Sequence, residues 1–272
     1  MSNEIGVMQG RLLPKYLGRY QAHPVDYWQD EFNFAKQLNL DCIEFILDFD
    51  DVEKNPLIKD GGIDEIKIVE EKTGVQVRTI CADYFMEAPL HSENDEISYL
   101  SKNLLVKLLK NSSSLGVKDI VIPCVDQSSL KSQKVQDRFI EKLLPIEEIA
   151  EKYGINLSLE TDLDPQSFSK LLERFQSNRI TVNYDIGNSA ALGYRVSEEL
   201  ECYGHQITDI HIKDRLLGGG PIILGSGNAN FPEFFKTLKN FDYKGPFIMQ
   251  AYRDDEGVDI FKKQLEWIKQ YI

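Results

Sequence analysis

Short apolar, β-branched runs alternate with longer amphipathic stretches from one end of this chain to the other. The runs are Glu4–Gln9, Asp41–Leu47, Gln76–Ala82, Asp119–Cys124, Ile155–Glu160, Ile180–Asp185, Ile207–Lys213 and Pro246–Ala251. A strand with its crossover helix needs ~30 residues or more, and most of the gaps between these eight starts hold one such unit. Near-continuous apolar segments such as Ile120-Val121-Ile122 suit parallel strands buried on both faces. Helical spacing fills the intervals. Val25–Leu38 sets Trp28, Phe32, Ala35 and Leu38 on one stripe, and Asn94–Leu115, Ser132–Tyr153 and Gly257–Tyr271 show the same pattern. Gly74, Gly116, Gly154 and Gly204 stand where left-handed helix C-caps are expected.

No Pro/Ser-rich linker interrupts the series, and 272 residues match the size of one closed barrel. A doubly wound sheet is the alternative, but it wants a Gly-rich phosphate loop after the first strand. Here that strand runs into Gln9-Gly10-Arg11. The expected fold is α/β, a single (βα)8 TIM barrel over residues 1–272. Charge narrows the partners: 31 Lys+Arg against 44 Asp+Glu leave a net −13, which disfavours nucleic acid because phosphate binding needs clustered cations. Cys42, Cys81, Cys124 and Cys202 form no C-x-x-C pair and read as reduced thiols of a cytosolic protein, the first three packed in the core. The opening Met1-Ser2-Asn3-Glu4-Ile5 lacks the basic and apolar regions of a signal peptide. No apolar run nears the ~20 residues that cross a bilayer. A cytoplasmic protein with neither a nucleic-acid nor a membrane partner is expected, and a homo-oligomer stays open.

In such a barrel the site forms at the C-terminal ends of the strands. The second run offers Glu44 and Asp48, the third ends near Asp83, and the fourth ends at Cys124 and Asp126. The fifth closes on Glu160, the sixth on Asp185, the seventh carries His211 and the eighth Gln250. Polar groups there need partners, and two carboxylates with an imidazole from consecutive strands suit a divalent cation. Lys213 and Arg215, just past His211, could grip a phosphate or carboxylate. His23, His91 and His205 read as ordinary surface residues. Gly218-Gly219-Gly220 reads as a mobile lid or a flexible turn.

Leu159-Glu160-Thr161, Asn183-Tyr184-Asp185-Ile186-Gly187-Asn188, Asp209-Ile210-His211-Ile212-Lys213-Asp214-Arg215 and Leu224-Gly225-Ser226-Gly227 together resemble the xylose-isomerase-like superfamily. Met8-Gln9-Gly10-Arg11-Leu12 and Ile43-Glu44-Phe45-Ile46 resemble its hexulose-phosphate 3-epimerase-like members. The resemblance implies one divalent cation, manganese, zinc, magnesium or cobalt, held by Glu160, Asp185, His211 and Gln250. It also implies Glu160 as the catalytic base, with Arg215, Lys213, Asn188, Glu44 and Asp83 around a small sugar or sugar-phosphate substrate. The implied activity is a metal-dependent isomerase or epimerase passing through an enediolate. The alternatives are a lyase or dehydratase of a polyol or keto-acid, and a sugar-binding barrel without turnover.

One departure matters. The eighth-strand ligand in that superfamily is usually a glutamate, and in ketose 3-epimerases two metal-bound glutamates remove and return the proton on opposite faces. Glutamine offers a carbonyl oxygen but cannot take a proton. A second proton carrier would have to come from Asp83, Glu44 or a metal-bound water. On charge alone, Gln250→Glu is expected to tighten the cation. The repair nucleases of the superfamily are set aside, since Asn188 and Gly219-Gly220-Pro221 replace their further histidine ligands.

Overall fold

The computed structural model describes residues 3–255 and 257–272. Its strands are β1 (Ile5–Met8), β2 (Cys42–Ile46), β3 (Gln76–Cys81), β4 (Asp119–Cys124), β5 (Asn156–Thr161), β6 (Ile180–Asp185), β7 (Ile207–Ile212), β8 (Asp214–Arg215), β9 (Pro221–Ile222) and β10 (Phe247–Met249). All but β8 and β9 close into a parallel barrel in the order β1-β10-β7-β6-β5-β4-β3-β2. The ring is sealed at β1, where Ile5 stands opposite Phe247 on one side and Gly6 opposite Cys42 on the other. β8 and β9 form a short antiparallel ribbon outside the ring.

The crossovers carry α1 (Trp28–Gln37), α2 (Gly62–Thr73), α3 (Tyr84–Glu87), α4 (Asp95–Ser112), α5 (Gln133–Tyr153), α6 (Pro165–Leu172), α7 (Ile186–Leu192), α8 (Val196–Tyr203), α9 (Phe231–Leu238) and α10 (Asp259–Ile268). Their starts are set by side-chain caps: Asn94 on α4, Ser132 on α5, Asp164 on α6 and Asn230 on α9 each accept a backbone N–H of the first turn. Among the described residues no helix is long and apolar enough to cross a membrane.

Strand alternation splits the interior in two. Outward-facing residues meet the helices in a shell that contains Trp28, Phe32, Phe45, Phe139, Phe234 and Phe261, all buried. The lumen is divided by side. Met8, Cys42, Ile46, Cys81, Val121 and Ile248 make a small apolar cluster of their own. The β4–β7 side is polar, where Asp119 accepts from Asn156, Ser158 and Thr208. A buried carboxylate with three donors is satisfied, which is the condition for tolerating it there.

Three expectations are corrected. Gly204 is no left-handed cap: its φ is −56°, and a Cβ there would lie 2.7 Å from the Phe241 ring, so close approach is what demands glycine. His23 and His91 are buried, not on the surface. His23 packs against Trp28 and Phe45, His91 against Phe139, and burial lowers their pKa values to about 3 and about 4. The Gly218–Gly220 stretch is a tied ribbon turn, with Gly218 N–H donating to the Ala191 carbonyl at 2.8 Å and the Arg215 guanidinium gripping Gly219 O.

The loop after β1 is anchored by Glu31 of α1, fully buried, whose two oxygens accept from Gly10 N at 2.7 Å and Leu12 N at 2.9 Å. Glu31→Ala leaves both donors without an acceptor, and urea unfolding should show a loss of about 2–4 kcal/mol. Glu31→Gln keeps one acceptor and should lose less.

Candidate metal and substrate site

The C-terminal ends of β5, β6, β7 and β10 bring Glu160, Asp185, His211 and Gln250 to one mouth. Ligand atoms of Glu160, Asp185 and His211 lie within 4.8 Å of one another. The His211 ring is fully buried and its Nε2 contacts Glu44 Oε1 at 2.7 Å. With Glu44 accepting, Nε2 carries the proton and the Nδ1 lone pair turns to the mouth. There it lies 3.8 Å from Glu160 Oε2 and 4.0 Å from Asp185 Oδ2, with no hydrogen-bond partner. Such a carboxylate behind an imidazole fixes its tautomer and raises its basicity as a metal ligand.

Asp185 divides its work between its two oxygens. Oδ1 caps α7 by accepting from Asn188 N at 2.8 Å, and Oδ2 is left toward His211 and Lys213 Nζ, 3.3 Å away. Asn188 is the hub of this wall: its Nδ2 donates to Glu160 Oε1 at 2.5 Å and its Oδ1 accepts from Arg215 Nη1 at 2.8 Å. Burial, and next the repulsion of Asp185, raise the Glu160 pKa to about 7. Gln250 donates from Nε2 to Gln21 Oε1 at 2.7 Å, and its own Oε1 is buried without a partner.

Glu160, Asn188, Gln21 and Gln250 line a cavity of about 370 Å³, within the range of small-molecule sites. Lys213, Arg215 and Asn188 stand on one wall and Asp83 on another. A neighbouring hollow shares Gln21, Asp83 and Met86 and is edged by Asp48, Asp50 and Phe49.

Glu44 does not belong to the mouth. The structure seals it in the lumen behind His211, with Thr79 donating to its other oxygen at 2.6 Å, so no substrate reaches it. The reason is depth: Glu44 faces inward like Ile46, two residues on, but sits one layer lower, too deep to line the cavity. Burial raises its pKa to about 7 and that of the adjacent Asp209 well upward.

Sequence reasoning missed Gln21, Asp209 and Asp214. Gln21 lies in an irregular loop, where no periodicity marks it. Asp214 is fully buried, and its carboxylate gathers the N–H groups of Gly225, Gly227 and Ala229 at 2.9–3.0 Å. A Cβ on Gly227 would meet Asp214 Oδ1 at 2.2 Å, which explains the glycine in Leu224-Gly225-Ser226-Gly227. That repeat of small residues beside an aspartate was the available signal.

The family model described as xylose isomerase-like TIM barrel matches residues 32–271, and the chain belongs to that family. Among curated relatives, the L-ribulose-5-phosphate 3-epimerase UlaE of Escherichia coli is 26% identical over 267 residues, covering 93% of both chains. Among solved structures, D-allulose 3-epimerase from Methylomonas sp. in complex with D-allulose superposes with a TM-score of 0.77 at 16% identity, over 99% of this chain and 97% of that one. A xylose isomerase-like TIM barrel protein from Mycobacterium smegmatis in complex with magnesium gives 0.74 at 17% identity, over 99% and 96%.

Asp214→Asn turns an amide N–H₂ onto backbone donors. Hydrogen exchange at Gly225, Gly227 and Ala229 should quicken while the barrel strands stay protected, and stability should fall by about 1–3 kcal/mol. Unchanged exchange at those amides would rule out the anchoring role.

Proposed function

We propose that this member of the xylose isomerase-like TIM barrel family is a divalent-metal-dependent isomerase or epimerase of a small sugar or sugar phosphate. The observation that carries the reading is the pair of buried, unpartnered acceptors His211 Nδ1 and Gln250 Oε1 at a mouth that also holds Glu160 and Asp185. Buried lone pairs without a donor are costly. Hard oxygens plus one imidazole form a donor set that suits magnesium, manganese, zinc or cobalt.

A divalent cation bound there supplies Lewis-acid polarisation of the substrate's carbonyl and neighbouring hydroxyl. Glu160 takes the proton next to that carbonyl. Asn188 holds its Oε1, so Oε2 is the oxygen free to accept. Arg215 has no carboxylate partner among the described residues, and it holds the anionic end of a sugar phosphate. Lys213 is committed to Asp185 and Lys131 to Asp162, which leaves Arg215 the cavity cation with charge to spare. Asp83, across the cavity, returns the proton. The phosphorylated pentulose named for the curated relative and the ketohexose bound to the structural neighbour both support a small ketose substrate. Four free thiols and an acidic chain fit a cytoplasmic enzyme that binds no nucleic acid.

A second reading, a metal-dependent lyase, draws on Gln250, which cannot carry a proton. Screening ketoses and their phosphates in heavy water with added divalent cation separates the two. Exchange with an epimeric or isomeric product supports the first reading, exchange with loss of water supports the lyase, and silence across the screen overturns both. His211→Ala should lower bound metal at least tenfold by elemental analysis. Arg215→Lys should raise KM for the phosphorylated substrate and spare metal content. Equal losses for a neutral sugar and its phosphate would make Arg215 structural.

A further inference from the structure

An amide at the fourth position of a cation site is ambiguous. Its two ends are nearly the same shape, yet one offers a lone pair and the other presents two N–H bonds. Unless something fixes which end faces the cavity, the position is as apt to repel a cation as to hold one. Backbone packing cannot settle it. The Gln250 main chain is pinned by its N–H donating to Ile212 O at 3.1 Å, but that leaves the amide free to turn over.

Gln21, 229 residues away in sequence, touches Gln250 directly. Its Oε1 accepts from Gln250 Nε2 at 2.7 Å and also from Arg11 Nη2 at 3.2 Å, while its Nε2 donates to Asp83 Oδ2 at 3.1 Å. A guanidinium only donates. Arg11 therefore requires the oxygen end of Gln21 on its side, and this turns the nitrogen end to Asp83, whose Oδ2 accepts from it. The orientation of Gln21 is thereby fixed. It follows that the Gln250 N–H₂ must face Gln21 and that its carbonyl oxygen must face the site, where it is buried and partnerless.

We infer that Gln21 is a positioning residue that locks the Gln250 carbonyl oxygen toward the cation, so that the fourth position of the site is built for a neutral ligand. The inference rests on the metal-dependent reading above. It also changes what Gln250→Glu should do. A carboxylate at 250 would press against Gln21 Oε1, and turning Gln21 over would set its oxygen against Asp83 and its N–H₂ against Arg11. The added charge is therefore opposed unless Gln21 is changed with it.

Manganese titration of the full-length protein by calorimetry tests this without any assay of turnover. Gln21→Met keeps length but removes the acceptor, and it should weaken Mn²⁺ binding roughly tenfold, in the range typical of groups that orient ligands. Gln21→Glu keeps an acceptor for Gln250 and Arg11 while setting an oxygen against Asp83, and it should weaken Mn²⁺ binding less than Gln21→Met. In the Gln250→Glu background the sign reverses: Gln21→Met should tighten Mn²⁺, because a carboxylate has two equivalent oxygens and needs no orienting. Equal weakening by Gln21→Met in both backgrounds would reduce Gln21 to packing and overturn the inference. So would an unchanged affinity in the Gln250 protein. If the unaltered protein binds no Mn²⁺, Mg²⁺ or Zn²⁺, the metal-dependent reading itself fails, a result distinct from a cation that binds but ignores Gln21.

Discussion

Across the barrel lumen, His211 Nε2 meets Glu44 Oε1 at 2.7 Å, with both side chains fully buried. β7 and β2 are not neighbours in the ring, so this contact bridges the interior and ties two walls together. It also decides which imidazole nitrogen faces the mouth, and every distance to Glu160 and Asp185 follows from that choice. Burying a carboxylate is expensive unless each of its lone pairs is answered. Glu44 is answered by the imidazole and by Thr79. The apolar half of the lumen, from Met8 round to Val121, keeps water away and strengthens those contacts.

The mouth gains its order from groups that serve two elements at once. Asp185 ends β6, caps α7 and still offers one oxygen to the cavity. Asn188, in the first turn of that helix, holds Glu160 on one side and Arg215 on the other. Arg215 in turn grips the ribbon turn through Gly219 O, and Asp214 beside it gathers the next loop through three backbone amides. Side chains fixed to strands and helix ends hold their positions better than side chains on free loops. The groups at this mouth are placed by hydrogen bonds that begin in regular structure.

Of the four side chains proposed to hold a cation, Glu160 and Asp185 are the carboxylates, Gln250 is neutral, and Lys213 stands 3.3 Å from Asp185 Oδ2. Arg11 lies behind Gln21 and adds to the same positive field. On the proposed reading, a divalent cation held here would keep more of its own charge than one ringed by three carboxylates, and would polarise a carbonyl more strongly while being held less tightly.

The amino-acid sequence by itself determined the barrel, because the alternation of apolar runs and helical stripes is local and leaves one way to bury both faces of eight strands. It also determined that Glu160, Asp185 and His211 end neighbouring strands, since parallel strands bring their C-terminal ends to one face. Left-handed caps at Gly74, Gly116 and Gly154 were legible for the same reason: they follow from the residues just before them. What only the tertiary structure decided depends on depth and on distant partners. Glu44 and Asp83 look alike in sequence, yet one is sealed beneath His211 and the other lines the cavity. The buried places of His23 and His91 depend on rings brought from other elements, Trp28 and Phe45 for one and Phe139 for the other. The roles of Gly204, Gln21 and Asp214 depend on which atoms arrive from elsewhere in the chain. Local patterning sets which way a side chain points, but only the closed ring sets what it meets, and a hydrogen bond between residues 229 apart leaves no period to read.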